Sequence, residues 1–173
     1  MSSTFRQYSP LIIALTHERE LSKKTNTGRL LCSLPDSLTH RIIWQRKAPD
    51  PWLLALIESE RVAILYPEQA CHTANDTEQL MPSPAQLVSD FDHFILIDST
   101  WQEARKIMNR SAYLQLLPRV SLTVSDVSRF NLRRNQVKGG LCTAEAAINL
   151  LRCKRLDKNA DQLQKMFDEF VAN

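Results

Sequence analysis

The sequence predicts an α/β domain built on a mainly parallel sheet flanked by helices. Five short apolar runs, at residues 11–15, 42–44, 62–66, 94–97 and 120–124, are continuous or nearly so, as strands covered on both faces require. Helical stretches lie between or after them, and strands alternating with helices point to a parallel sheet. No linker, internal repeat or low-complexity segment divides the 173 residues, a length that fits one domain with a real core.

The elements follow in order. The run at 11–15 gives the first strand and 42–44 the second. Asp50 then precedes Pro51, an N-cap residue followed by proline at the first helical position, so 51–60 reads as a helix. The third strand is 62–66 and the fourth 94–97. Behind the fourth, residues 100–109 place Trp101, Ala104, Ile107 and Met108 on one helical stripe. The fifth strand is 120–124. Residues 144–151, rich in Ala and Leu, form the next helix, and 161–171 carries Leu163, Met166, Phe167 and Phe170 at the i, i+3, i+4, i+7 spacing of an amphipathic one. One domain is expected over 1–173, its core at about 10–155 and its last helix at about 160–171.

Composition excludes several classes. With 43% hydrophobic and 24% charged residues the chain is ordinary for a globular protein. No apolar run approaches the ~18–20 residues of a membrane span, and the first residues lack a signal-peptide core, so a cytoplasmic location is the expectation. Cys32, Cys71, Cys142 and Cys153 form no C-x-x-C pair, and His40, His72 and His93 show no ligand spacing, so reduced thiols and no metal are expected. Net charge is only +3, but residues 101–158 hold twelve Lys/Arg against four Asp/Glu. That asymmetry suggests one basic face and a polyanionic partner, the alternative being solvated helix faces. Gly28, Gly139 and Gly140 are the three glycines, and they build neither a G-x-G-x-x-G fingerprint nor a Walker loop.

Ligands of open α/β sheets sit beyond the carboxyl ends of the strands, which directs attention to three exits. Asp98 emerges at the end of the fourth strand, followed by Ser99 or Thr100 as helix cap and by Trp101, Arg105 and Lys106. It reads as a turn or cap residue, a general base or a ligand anchor, and Trp101 as core or stacking platform. Gly139-Gly140 allows close backbone approach before a helix that Thr143 could cap, with Glu145 in its first turn. The third exit, residues 16–30, is long and polar. His17 there is structural or catalytic, and Thr25, Asn26, Thr27 and Arg29 suit an anion or a polar ligand.

These residues carry a resemblance. Asp98-Ser99-Thr100-Trp101 matches the D-x-T-W signature of the DTW-domain family, and Leu141-Cys142-Thr143-Ala144-Glu145-Ala146 resembles its L-S-T-x-E-A motif, with Cys142 where the family usually has Ser. Thr25-Asn26-Thr27-Gly28-Arg29-Leu30 and Leu65-Tyr66-Pro67 are similar to two further blocks, in the expected order. Many tRNA-modifying members begin with a cysteine cluster, which this chain does not show.

The resemblance implies a SPOUT-like fold with a C-terminal knot, and an aminocarboxypropyl transferase that uses S-adenosylmethionine to modify uridine in tRNA. It implies an adenosyl pocket around Thr27, Ile97, Trp101, Leu117 and the turn Gly139, Gly140, Leu141 to Thr143. Asp98 would be the base that takes the N3 proton, or the anchor of the donor's amino group. Arg29, Arg105, Lys106, Arg110, Arg133, Arg134 and Lys138 would hold RNA phosphates. The alternatives are a ribosomal RNA acceptor, a SPOUT-like methyltransferase, or an RNA-binding factor without chemistry. A monomer is the expected state.

Overall fold

The computed structural model describes residues 9–66, 88–122 and 141–172. Among them, five parallel strands form one sheet: β1 (Ile12–Thr16), β2 (Thr39–Ile43), β3 (Val62–Leu65), β4 (His93–Asp98) and β5 (Arg119–Val120), in the order β2-β1-β4-β3-β5. The helices are α1 (Pro51–Ser59), α2 (Trp101–Arg110), α3 (Ala112–Gln115), α4 (Thr143–Cys153) and α5 (Asp157–Ala172), with short 3-10 turns at Glu18–Glu20, Thr27–Ser33 and Val88–Asp90. The expected α/β architecture with a parallel sheet is present.

All five β1 residues are buried because both faces of the sheet are covered, which is why the strand reads as a continuous apolar run. Side chains alternate between the faces. Ile12, Ala14, Phe94 and Leu96 pack against Ala147 and Leu151 of α4 and Leu163 and Phe167 of α5. Ile13, Leu15, Ile64 and Ile95 pack against Leu53 of α1, Ile107 of α2 and Leu114 of α3. Each such side chain, fully buried, contributes roughly 1.5–3 kcal/mol. Register then sets the carboxyl rim: Thr16 of β1 aligns with Ile43 of β2 on one side and with Asp98 of β4 on the other.

Boundaries moved where polar residues joined a strand or a helix ran on. β2 starts at Thr39 because an edge strand tolerates polar side chains such as Thr39 and Arg41 ahead of its apolar Ile42 and Ile43. α5 begins at Asp157 rather than 161 because Ala160, fully buried, extends its apolar face toward α4. The short α3 carries too few residues for periodicity to show. Of the fifth apolar run, β5 includes Val120, and residues 123–124 lie outside the described residues. The expected knot depends on residues 123–140, which also lie outside them. No helix among the described residues is long and apolar enough to cross a membrane.

The corner between α4 and α5 contains one strained residue. Arg155 has φ 58°, the left-handed region, and the Leu156 N–H donates to the Leu151 carbonyl at 2.9 Å, the closing bond of a Schellman turn. Glycine suits this position without the Cβ clash. Arg155→Gly is expected to stabilise the protein by about 1 kcal/mol, read as a higher urea midpoint at unchanged slope.

Candidate functional site at the carboxyl rim

The site is organised by Asp98, the last residue of β4, which is completely buried. Its carboxylate accepts four hydrogen bonds. Thr16 Oγ1, at the end of β1, donates to Oδ2 at 3.2 Å. Asn26 Nδ2 donates to Oδ1 and Oδ2 at 3.1 and 3.0 Å. Thr143 Oγ1, the first residue of α4, donates to Oδ1 at 3.0 Å. The Asp98 backbone carbonyl also accepts from the His17 N–H at 3.1 Å. Hydrogen bonds to a charged acceptor contribute about 1.5–3 kcal/mol each, so this cluster offsets the burial of an anion and ties three segments together.

Gly28 completes the contact. A Cβ built on it would land on the Asp98 carboxylate, so only glycine lets the turn Thr27–Ser33 lie this close. Asn26 caps that turn, its Oδ1 accepting from the Arg29 N–H at 2.8 Å while its amide nitrogen serves the carboxylate. The same nitrogen reaches Glu20 Oε2 at 3.3 Å. Glu20 is also fully buried, and Lys23 Nζ meets its Oε1 at 2.6 Å. Lys23 lies 3.8 Å from Glu103. Burial pulls the Glu103 carboxyl upward, but hydrogen bonds from the Thr100 hydroxyl and N–H, with Lys23 close by, hold it below the usual range. Thr100 and Glu103 form the capping box that starts α2.

At the start of α4 the N-cap is Cys142, not Thr143 as the sequence suggested. The Cys142 N–H donates to Glu145 Oε2 at 3.0 Å. Thr27 reaches across to supply what a thiol does poorly: its Oγ1 accepts from the Ala144 N–H at 3.3 Å. Burial, then the Glu145 carboxylate, push the Cys142 thiol up to about 12, so it stays protonated at neutral pH and is no nucleophile.

The rim thus unites Asp98, Asn26, Thr27, Gly28 and Thr143. Thr27 is buried and docks α4. Thr143, Leu141, Ile97 and Trp101 are part-exposed, Ile97 on the face of the sheet that α1, α2 and α3 cover. Trp101 stands edge-on to Tyr66 with ring centroids 6.5 Å apart. Asp98 itself has no exposed atom.

Other expected residues lie elsewhere. Leu117 is buried in the core with Leu114 and Tyr66. The Arg29 guanidinium rests 4.8 Å from the Phe170 ring centroid, against α5. His17 caps the Glu18–Glu20 turn, its Nδ1 accepting from the Arg19 N–H, and stands 5.7 Å from the Trp44 ring. Arg105, Lys106 and Arg110 are exposed on α2, whose end is joined to the β2 exit by the Trp44 indole donating to Ser111 Oγ at 2.9 Å. Lys154 instead donates to the Phe91 carbonyl, ahead of the central strand β4, so the end of α4 lies toward the amino ends of the strands. Gly139, Gly140, Arg133, Arg134 and Lys138 lie outside the described residues. Sequence reasoning missed Thr16 and Glu20, for which neither periodicity nor spacing gave a signal. Among the described residues no group of three or more His, Cys, Asp or Glu is arranged to hold a metal.

The structure is an α/β protein whose Asp98, Asn26–Gly28 and Thr143 segments meet at the carboxyl ends of a parallel sheet. The DTW-domain family profile matches residues 3–173, and the chain belongs to that family. It is similar to tRNA-uridine aminocarboxypropyltransferase 2 of Mus musculus, 29% identical over 156 residues, which cover 88% of this chain and 50% of that protein. The chain therefore spans about half the length of this curated relative. No solved structure matches it.

Gly28→Ala is expected to force the turn off Asp98. The overpacking should cost about 1–3 kcal/mol, seen as a lower melting temperature; an unchanged one would mean that the close approach is not required.

Proposed function

We propose that this chain transfers the 3-amino-3-carboxypropyl group of S-adenosylmethionine to N3 of a uridine in tRNA, releasing methylthioadenosine. One observation carries the reading: the carboxylate of the D-x-T-W motif gathers the Asn26–Gly28 block and the Thr143 motif into one hydrogen-bonded unit at the sheet rim. Motifs far apart in sequence are thereby built as a single site, where ligands of such sheets bind. Membership of the DTW family and the name of the mouse relative supply the reaction class.

The bound donor supplies an electrophilic methylene carbon beside a sulfonium, which leaves as a neutral thioether. The protein therefore has little leaving-group work to do, and alignment dominates. Holding two reactants in attack geometry contributes several kcal/mol. Trp101 and Ile97 would pack on the adenosyl part, and Leu141 together with Thr143 at the start of α4 would form another wall. Asp98 acts by fixing Thr143 and the turn after Asn26; it can take the N3 proton only if one of its three donor groups withdraws. The acceptor uridine must be unpaired or flipped, since N3 is occupied in a base pair.

The test incubates the protein with S-adenosylmethionine and unmodified tRNA and follows both products by mass spectrometry. Methylthioadenosine together with a uridine heavier by the carboxypropyl group is the expected result. Adenosylhomocysteine would make the protein a methyltransferase, and a heavier uridine in ribosomal RNA but not tRNA would move the acceptor.

A further inference from the structure

We infer that the cleft on the outer edge of β2 is a phosphate subsite, in which the Arg41 guanidinium grips a phosphodiester of the RNA next to the modified nucleotide. The inference rests on the RNA-modifying reading above.

Arg41 Nε and Nη2 are both buried, and neither has a hydrogen-bond partner among the described residues. These two nitrogens form the side-on fork with which arginine holds a carboxylate or phosphate through two parallel bonds. The same chain shows the fork in use: Arg61 Nε and Nη2 meet the two oxygens of Asp92 at 2.9 and 3.0 Å. Buried donors are nearly always satisfied, so a guanidinium left with two idle N–H groups asks for a missing acceptor.

The acceptor has a place to go. Arg41 lines a cleft of about 230 Å³ with Ala14, Leu31, Cys32, Asp36 and Thr39 among its walls. Asp36 is exposed there and forms no ion pair with Arg41, so the cleft's own carboxylate does not fill the fork. The Thr39 hydroxyl is committed to the Leu31 carbonyl at 2.8 Å, and His40 also lines the cleft with its ring edge-on to Trp52, so Arg41 is the one guanidinium of the walls.

Position and charge select the ligand. Arg41 pairs with Ala14, two residues below the Thr16–Asp98 level and two strands from β4. That places it about 12 Å from Asp98, within a few nucleotides' reach of a base held at the rim. Just beyond the strand, Arg46 and Lys47 are exposed at the β2 exit. Arg110 ends α2 next to Ser111, which the Trp44 indole ties to that same exit. An extended polyanion could follow this track. Leu31 and Cys32 of the cleft wall belong to the turn that Asp98 holds through Asn26 and Gly28, so a phosphate seated by Arg41 touches the segment that shapes the site. Entry requires the covered guanidinium to rotate toward the cleft, which the four-torsion side chain on an edge strand allows.

The experiment compares wild type, Arg41→Leu and, as a control at the far end of the sheet, the exposed Lys158→Ala. tRNA binding is measured by fluorescence anisotropy across a salt series, with thermal melting in parallel. Arg41→Leu is expected to weaken tRNA binding about 5–10-fold and to flatten the log–log salt slope by about one. Its melting temperature should be equal to or above wild type, because no protein contact of the fork is lost. Lys158→Ala should match wild type in both. Unchanged affinity and slope in Arg41→Leu, with wild type binding tRNA and forming product, would overturn the subsite and leave the proposed function standing. A lower melting temperature with unaltered slope would make Arg41 a structural residue. No salt-dependent binding of tRNA by wild type would overturn subsite and function together. Competition by inorganic phosphate at millimolar concentration, equal in wild type and Arg41→Leu, would also count against the subsite, since it would place the anion elsewhere.

Discussion

An ionised carboxylate without exposed surface is costly to bury, by several kcal/mol for a single ion even after relaxation. Asp98 is buried all the same, because β1, the polar stretch after it and α4 each contribute a donor. Removing the carboxylate would take the shared acceptor from Thr16, Asn26 and Thr143 at once, leaving Thr16 only the Ala14 carbonyl and Asn26 only Glu20. The arrangement is thus held from both sides: the donors are needed by the anion, and the anion by the donors. Gly28 permits the approach, and Thr27 extends it by accepting from the Ala144 N–H, beside the Cys142–Glu145 capping box of α4. Every feature assigned to the rim depends on this one carboxylate.

A second buried acid, Glu20, shares the Asn26 amide with Asp98 and is met by Lys23. The chain from Asp98 through Asn26, Glu20 and Lys23 to Glu103 links the end of β4 to the first turn of the helix that follows it. The D-x-T-W segment is therefore braced twice, by its own capping box at Thr100 and through the polar loop after β1. The part-exposed Trp101 begins a helix whose start is fixed by these contacts, which suits a residue asked to pack against a ligand.

The sheet was legible because burial on both faces leaves continuous apolar runs, and α1 because Asp50 and Pro51 mark its start; Asp50 does accept from the Trp52 and Leu53 N–H groups. The short β2 was half legible, since Arg41 and Thr39 interrupt its pattern at an edge. Asp98, Thr27 and Thr143 were legible as strand-exit and motif residues, but their roles were not. Whether an aspartate at a strand end faces solvent or its own protein is decided by segments far off in the chain, and local sequence carries no trace of that. For the same reason the basic stretch read as one patch, whereas the end of α4 carries Lys154 to the amino ends of the strands, away from the carboxyl rim. Leu117 was drawn into the pocket by its place in the family pattern, while the structure packs it in the core.

Hydrogen exchange on Asp98→Asn tests the organising role of this carboxylate most directly. Asparagine preserves the shape but cannot accept from all three donor groups at both side-chain atoms. The account predicts that the amides of the Thr27–Ser33 turn and of the first turn of α4 lose protection together, while those of β1 keep theirs. Loss confined to one of the two segments, or no loss in either, would contradict the claim that Asp98 holds them as one unit.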